Sequence, residues 1–189
     1  MKNLKLLIVL TLLSNIITSQ NYFLEKYEPY NNSILSPEEF LGYEIGFQHT
    51  RHDQIVNYLT YLSTVSNKAD IINYGKTHEG RKLVILTITS ESNLNSLNDI
   101  QKEHLKNTIP GESISLNDDL PIIINLGYGV HGNEPSSSEA ALLSAYTLVA
   151  SKNKKIEKFR KNSVIIIDPT INHDGRDRHT KWANQNKSI

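Results

Sequence analysis

Cysteine is absent from this 189-residue sequence, and neither sign of charge is in excess. Without thiols, the chain cannot form a disulfide-stapled scaffold, a cysteine nucleophile, an iron–sulfur cluster or a thiolate zinc site. A metal site would therefore have to use His, Asp and Glu. The 20 basic and 20 acidic residues give a formal net charge of zero. This balance argues against nucleic acid or an anionic membrane surface as a partner, since both attract basic proteins.

Long hydrophobic runs are missing as well. The apolar segment at residues 6–13, which follows Lys2 and Lys5, is too short to cross about 30 Å of hydrocarbon at 1.5 Å per residue. No membrane span is therefore expected. A positive start followed by a short apolar core predicts a signal peptide over residues 1–19. The remaining residues, 20–189, are then exported, periplasmic or extracellular, and their number allows one domain rather than two.

Helix and strand patterns alternate along the rest of the chain. Ser36, Pro37 and Glu39 form a capping box that predicts the start of a short helix. Apolar spacing and short apolar runs predict helices over 51–66, 94–107 and 135–150, a helix or connector over 152–161, and strands over 71–75, 83–88, 121–126 and 164–167. The continuous apolar run at 121–126 is typical of an interior strand. The helical connection from it to 164–167 indicates a parallel pair.

The loop that leaves the strand at 121–126 is the best candidate for a functional site. His131 and Glu134 lie three residues apart in a glycine-rich loop, and Pro135 is placed to start the next helix. Ligands of open α/β sheets bind at the carboxyl ends of parallel strands, so both side chains are expected to converge there. An imidazole and a carboxylate suit Zn²⁺. Alternatively, Glu134 only favours a helix N-terminus and His131 is an ordinary loop histidine. Glu139 is expected to be a surface or hydrogen-bonding residue.

A second polar cluster follows the strand at 164–167. Residues 172–175, Asn-His-Asp-Gly, predict a turn beside the first loop at the same edge of the sheet. Arg176 and Arg178 could bind a substrate carboxylate with their two-pronged guanidinium groups, or could pair with the neighbouring aspartates.

Three motifs follow one another along the chain: GKTHEGRKL at 75–83, HGNEP at 131–135 and NHDGR at 172–176. In this order they resemble the zinc carboxypeptidase family, in its exported bacterial branch. The resemblance implies an α/β fold with a mixed, largely parallel sheet between helices, and one Zn²⁺ held by His131 and Glu134. It also implies hydrolysis of the C-terminal peptide bond of a peptide or protein substrate with a free C-terminus.

Other elements of the family pattern have no match in this sequence. These are a third zinc ligand, an Asn-Arg pair and a tyrosine that bind substrate, and a glutamate general base. We therefore expect residues 20–189 to be the N-terminal part of a zinc carboxypeptidase-like domain, with a fold incomplete at the C-terminus. No catalytic base is expected within this chain, and the missing groups are expected beyond Ile189. His173 stands at the family's proline position, and Trp182 is not followed by the family's arginine.

Two other functions remain open on the sequence. The first is a zinc amidohydrolase that deacylates N-acyl amino acids, since such enzymes also use a His-Gly-Asn-Glu loop. The second is a non-catalytic exported binding or scaffold protein that keeps the fold.

Overall fold

A computed structural model describes residues 21–110 and 119–187, so the predicted signal peptide over 1–19 lies outside the described residues. The helices and strands follow one another in this order: α1 (Asn21–Glu25), α2 (Pro37–Leu41), α3 (His52–Val65), β1 (Ala69–Lys76), β2 (Lys82–Ile88), α4 (Glu91–Asn95), α5 (Leu97–Lys106), β3 (Ile122–Gly127), α6 (Ser137–Ala150), α7 (Lys154–Asn162), β4 (Ser163–Asp168) and α8 (His173–Gln185). In this part of the chain, every helix is too short or too polar to cross a bilayer.

The four strands form one mixed sheet in the order β1-β2-β4-β3. β1 and β2 make an antiparallel hairpin, and β2 pairs antiparallel with β4. β3 pairs parallel with β4, from Ile122 opposite Ser163 to Gly127 opposite Asp168. The predicted mixed sheet and the predicted crossover are thus confirmed. Among the described strands, parallel pairing is confined to this one pair, because the hairpin and β2–β4 run antiparallel.

The predicted interior position of β3 is wrong within the described part of the chain. β3 lies at the edge of the sheet, and its residues Ile122 and Ile123 are exposed. The interior position belongs to β4, which follows later in the sequence and inserts between β2 and β3. Since a continuous apolar run looks the same in either position, strand order could not be obtained from it.

The capping box predicted for α2 is present. Ser36 Oγ accepts a hydrogen bond from the Glu39 amide at 3.3 Å, and Glu39 Oε2 accepts one from the Ser36 amide at 2.7 Å. α3 confirms the helix predicted over 51–66, and its residues Ile55, Leu59 and Leu62 are fully buried. These side chains join α6 and the sheet in one hydrophobic core.

Three helix boundaries differ from the sequence expectations. The helix predicted over 94–107 is divided at Ser96 into α4 and α5. α6 begins two residues after Pro135. The turn predicted over 172–175 is the start of α8, where Asn172 Oδ1 caps the helix by accepting a hydrogen bond from the Gly175 amide at 2.9 Å. Asparagine favours both turns and helix N-caps, so this local signal was ambiguous.

Candidate metal site

The loops that follow β3 and β4 are joined by backbone hydrogen bonds. The Tyr128 amide donates to the Asp168 carbonyl at 2.9 Å, and the Ile171 amide donates back to the Tyr128 carbonyl at 2.7 Å. The Asn172 amide then donates to the Gly129 carbonyl at 2.9 Å. The two polar clusters of the sequence therefore lie side by side at the carboxyl ends of the parallel strands, as expected.

Gly132 brings the first loop into direct contact with the backbone of α8. A Cβ atom at this position would lie within 3.0 Å of the backbone of Gly175 and Arg176, closer than real Cβ atoms come. Only glycine therefore fits here without displacing one of the two segments.

His131 and Glu134 converge, as the sequence predicts. His131 Nδ1 lies 2.9 Å from Glu134 Oε1, and this hydrogen bond is the main cause that lowers the pKa of the Glu134 carboxyl. Both side chains remain accessible, with 71% and 50% of their surfaces exposed. The backbone supports the same conformation, because the Glu134 amide donates to the His131 carbonyl at 3.2 Å.

The geometry of this pair fits two ligands of one zinc ion. Two atoms bound to zinc at about 2.0–2.2 Å in tetrahedral geometry are roughly 3.4 Å apart, so a small opening of the 2.9 Å pair would suffice. Imidazole nitrogen and carboxylate oxygen are also the ligand types that zinc takes when thiolates are lacking. Within residues 21–110 and 119–187, however, no group of three or more His, Asp or Glu residues is arranged to hold a metal.

Arg176 does not lie where the sequence hypothesis placed it. Only 1% of it is exposed, so in this structure it is not accessible to a substrate carboxylate. Its partner is neither a substrate nor a neighbouring aspartate but Glu139, whose two carboxylate oxygens accept from Arg176 Nη2 at 2.6 and 2.7 Å. Glu139 is itself only 5% exposed, so of the two expected roles it has the hydrogen-bonding one.

The Arg176–Glu139 pair was not predicted from the sequence, although the sequence indicates that Glu139 is buried. Glu139 precedes the buried residues Leu142 and Tyr146 by three and seven positions, which places it on the buried face of α6. A carboxylate at such a position needs a buried partner.

Arg178 is placed differently from Arg176. Its side chain is 80% exposed, and it forms an ion pair with Glu79 at 3.2 Å. Arg178 and His131 both line an open pocket of about 500 Å³. The other lining residues come from the loop at 131–135, from the N-cap of α8 and from one face of that helix: Gly132, Asn133, Asn172, Gly175, His179 and Trp182. His179 and Trp182 were not predicted to line this pocket. Their spacing from Gly175 and Arg178 places them on the same face only when residues 173–185 are known to form a helix.

The hairpin between β1 and β2 holds the start of α8. Arg81 binds Asp174 at 2.7 Å and Asp177 at 2.6 Å on α8, and Glu79 of its own turn at 2.6 Å. The motif at 75–83 thus supports the candidate site without entering it.

Two histidines at helix starts, His52 of α3 and His173 of α8, are buried. The rings of His52 and His173 meet edge to face, with their centroids 4.3 Å apart. His52 Nε2 donates to the Lys82 carbonyl at 2.9 Å, which leaves Nδ1 without a partner in the described structure. Burial, with a smaller effect of His173, lowers the pKa of His52 to about 4. Burial also lowers the pKa of His173. Both rings are therefore neutral at pH 7.

Fold and site together define a mixed α/β domain with a His-x-x-Glu pair at the carboxyl end of a parallel strand. The zinc carboxypeptidase family model matches residues 55–188 of this chain. This match covers more than half of the sequence, and the chain therefore belongs to the zinc carboxypeptidase family. The family suggested by the three sequence motifs is thus confirmed.

Three solved structures illustrate what this chain is similar to. Thrombin activatable fibrinolysis inhibitor matches with a TM-score of 0.52 and 17% identity, over 75% of this chain and 31% of that chain. Carboxypeptidase A from Helicoverpa armigera matches with a TM-score of 0.49 and 20% identity, over 70% and 28% of the two chains. A metallo-carboxypeptidase from Burkholderia cenocepacia gives 0.49 and 14%, over 70% and 29%. The chain thus spans less than a third of the length of these proteins. No curated protein matches it.

Proposed function

We propose that His131 and Glu134 are two ligands of a catalytic zinc ion in a metallocarboxypeptidase that removes C-terminal residues from peptides or proteins. The observation that carries this proposal is the 2.9 Å approach of two exposed, zinc-compatible side chains, of which His131 lines an open pocket. When bound, zinc polarises the scissile carbonyl and activates a water molecule. Catalytic zinc sites have three protein ligands, so we assign the third ligand to residues outside 21–110 and 119–187. We propose that the general base lies there as well.

Arg178 is the residue proposed to bind the substrate carboxylate. Its guanidinium group lines the same pocket as His131 and can form two parallel hydrogen bonds to a carboxylate. Its present contact with Glu79 is an exposed ion pair, and such pairs contribute little because water and salt screen them. Exchanging Glu79 for a substrate carboxylate would therefore cost little.

Zinc titration of the full chain by calorimetry tests the metal site. We expect one zinc ion per chain, and we expect His131→Ala and Glu134→Gln each to weaken binding by roughly 100-fold or more, since even residues that only support ligands contribute about 10- to 100-fold. His78→Ala, which removes an exposed imidazole from the hairpin turn, is the control and should bind as the wild type does. Unchanged affinity in His131→Ala would refute the site.

Hydrolysis assays on matched substrates test the activity. In a protein that also carries the third ligand and the general base, we expect zinc-dependent release of the last residue from peptides with a free C-terminus and none from the same peptides with an amidated C-terminus. Arg178→Ala should raise KM more than it lowers kcat, because it removes substrate binding rather than chemistry. Hydrolysis of N-acyl amino acids with peptides left intact would instead establish a deacylase. Folding and heat stability that zinc does not affect, with no turnover in the protein that carries the missing groups, would instead indicate a non-catalytic binding or scaffold protein.

A further inference from the structure

One buried guanidinium group connects the candidate zinc loop to two other segments. Arg176 Nη1 donates to the carbonyl oxygens of Glu134 and Pro135, at 3.2 and 3.4 Å. Nη2 binds both carboxylate oxygens of Glu139 on α6, and Nε donates to the Thr50 carbonyl at 3.2 Å. All three nitrogens of the group are thus engaged, each with a different segment of the chain.

Glu139 links two members of this hydrogen-bond network, Arg176 and Thr50. Its Oε1 atom accepts a hydrogen bond from the Thr50 amide at 2.8 Å as well as from Arg176. The carboxylate is therefore anchored both to the guanidinium and to the backbone that leads into α3. A buried ion pair offsets the cost of leaving water only when further hydrogen bonds satisfy both partners, as they do here.

The contact with the loop is made at the backbone of a proposed zinc ligand. The Glu134 carbonyl belongs to the residue whose side chain approaches His131, so a fixed carbonyl restricts the direction of that side chain. Gly132 is held at the same time against the backbone of Gly175 and Arg176. The loop is therefore fixed at two points before any ion binds.

We propose that Arg176, anchored by Glu139, is a positioning residue that holds loop 131–135 in its zinc-binding conformation. This inference rests on the proposed function, since it assigns the network to the same metal site. A lysine could keep the charge but could not bind Glu139, Thr50 and the loop carbonyls together, because it lacks the planar fork of arginine.

Arg160 provides a matched control. It is also buried, 3% exposed, and its Nη1 atom donates to the carbonyls of Leu148 and Ser151 near the end of α6. None of its described hydrogen bonds involves the loop. Arg160→Lys should therefore disturb a buried arginine of the same kind without acting on the metal site.

Zinc affinity and stability measured on the same full-chain variants test the proposal. Arg176→Lys and Glu139→Gln should weaken zinc binding by about 10- to 100-fold, the range found for groups that orient metal ligands. Arg160→Lys should keep zinc affinity within about twofold even where urea unfolding shows lost stability, because distant sites are nearly additive. Equal zinc affinity in Arg176→Lys and Arg160→Lys, at equal stability, would overturn the proposal.

A second variant keeps the test valid if single substitutions prevent folding. Arg176→Met combined with Glu139→Leu removes both buried charges, a change that often preserves stability. In this double variant without zinc, we expect faster hydrogen exchange at the Glu134 amide, which donates to the His131 carbonyl, but unchanged exchange in β4. Unchanged exchange at Glu134 would also overturn the proposal. Because exchange is measured without metal, a wild-type chain that binds no zinc would refute the proposed function and leave the loop result interpretable.

Discussion

Replacing Gly132 by alanine should displace the candidate zinc loop from α8. The added methyl group would come well inside 3.0 Å of three backbone atoms of Gly175 and Arg176. These atoms cannot yield as the end of a flexible side chain can, because they belong to a capped helix start. The loop and the helix must therefore separate by on the order of 1 Å to restore ordinary contact distances.

The size of this displacement sets the expected effect. Metal sites tolerate changes in ligand distance of only about 0.2 Å, so a shift of about 1 Å should weaken zinc binding by roughly 100-fold. Forcing a methyl group into a packed contact costs about 1–3 kcal/mol in the free energy of unfolding.

Urea unfolding and zinc titration measure the two effects. Gly127→Ala is the matched control, since its methyl group would meet only the side chain of Ile171, with Cδ1 at 2.8 Å and Cγ1 at 3.7 Å. That side chain is half-exposed and can turn away, so the control should lose less than about 1 kcal/mol. The reasoning is refuted if Gly132→Ala matches Gly127→Ala in both stability and zinc affinity.

Two further predictions concern the support behind the site. His52 is neutral when folded, with a pKa of about 4, and it binds a proton near pH 6.5 when unfolded, so its contribution to stability should be lost as the pH falls from 6.5 to 4. The loss should approach roughly 3 kcal/mol, and urea unfolding between pH 7.5 and 4 should show a shallower pH dependence for His52→Gln than for the wild type. Arg81→Ala should cost about 1–2 kcal/mol in the free energy of unfolding, because three carboxylates lose their shared partner. Arg51→Ala breaks one exposed pair with Asp53 and should cost less than about 0.5 kcal/mol, and similar losses in the two variants would contradict this account.

Elements whose signals are local could be predicted from the sequence. The capping box at Ser36 and the three- and four-residue spacing in α3 each involve neighbours within one or two turns, and both were found in the structure. The parallel pairing of β3 with β4 could also be predicted, because a helical connection between consecutive strands forms a crossover unit. The edge position of β3 could not be predicted, because it depends on the insertion of β4 between β2 and β3, and no local sequence pattern indicates strand order.

In the candidate site, too, local features could be predicted from the sequence and long-range contacts could not. The approach of His131 to Glu134 could be predicted because the two residues lie three positions apart in one loop. The partner of Arg176 could not be recognised, because Glu139 is 37 positions away and closer aspartates offered equally plausible pairs. Those aspartates bind Arg81 instead, about 95 positions away in the hairpin. Long-range ion pairs depend on packing, which sequence spacing alone does not determine.

The contacts that Thr50 makes with the ion pair use only main-chain atoms. Its amide donates to Glu139 and its carbonyl accepts from Arg176, whereas its hydroxyl serves a separate contact with Tyr43. Evolution can therefore exchange the side chain at position 50 for another of similar volume, provided the local main-chain path is kept. Insertions or deletions just before α3 should be tolerated far less than point substitutions, because they would move both contacts at once.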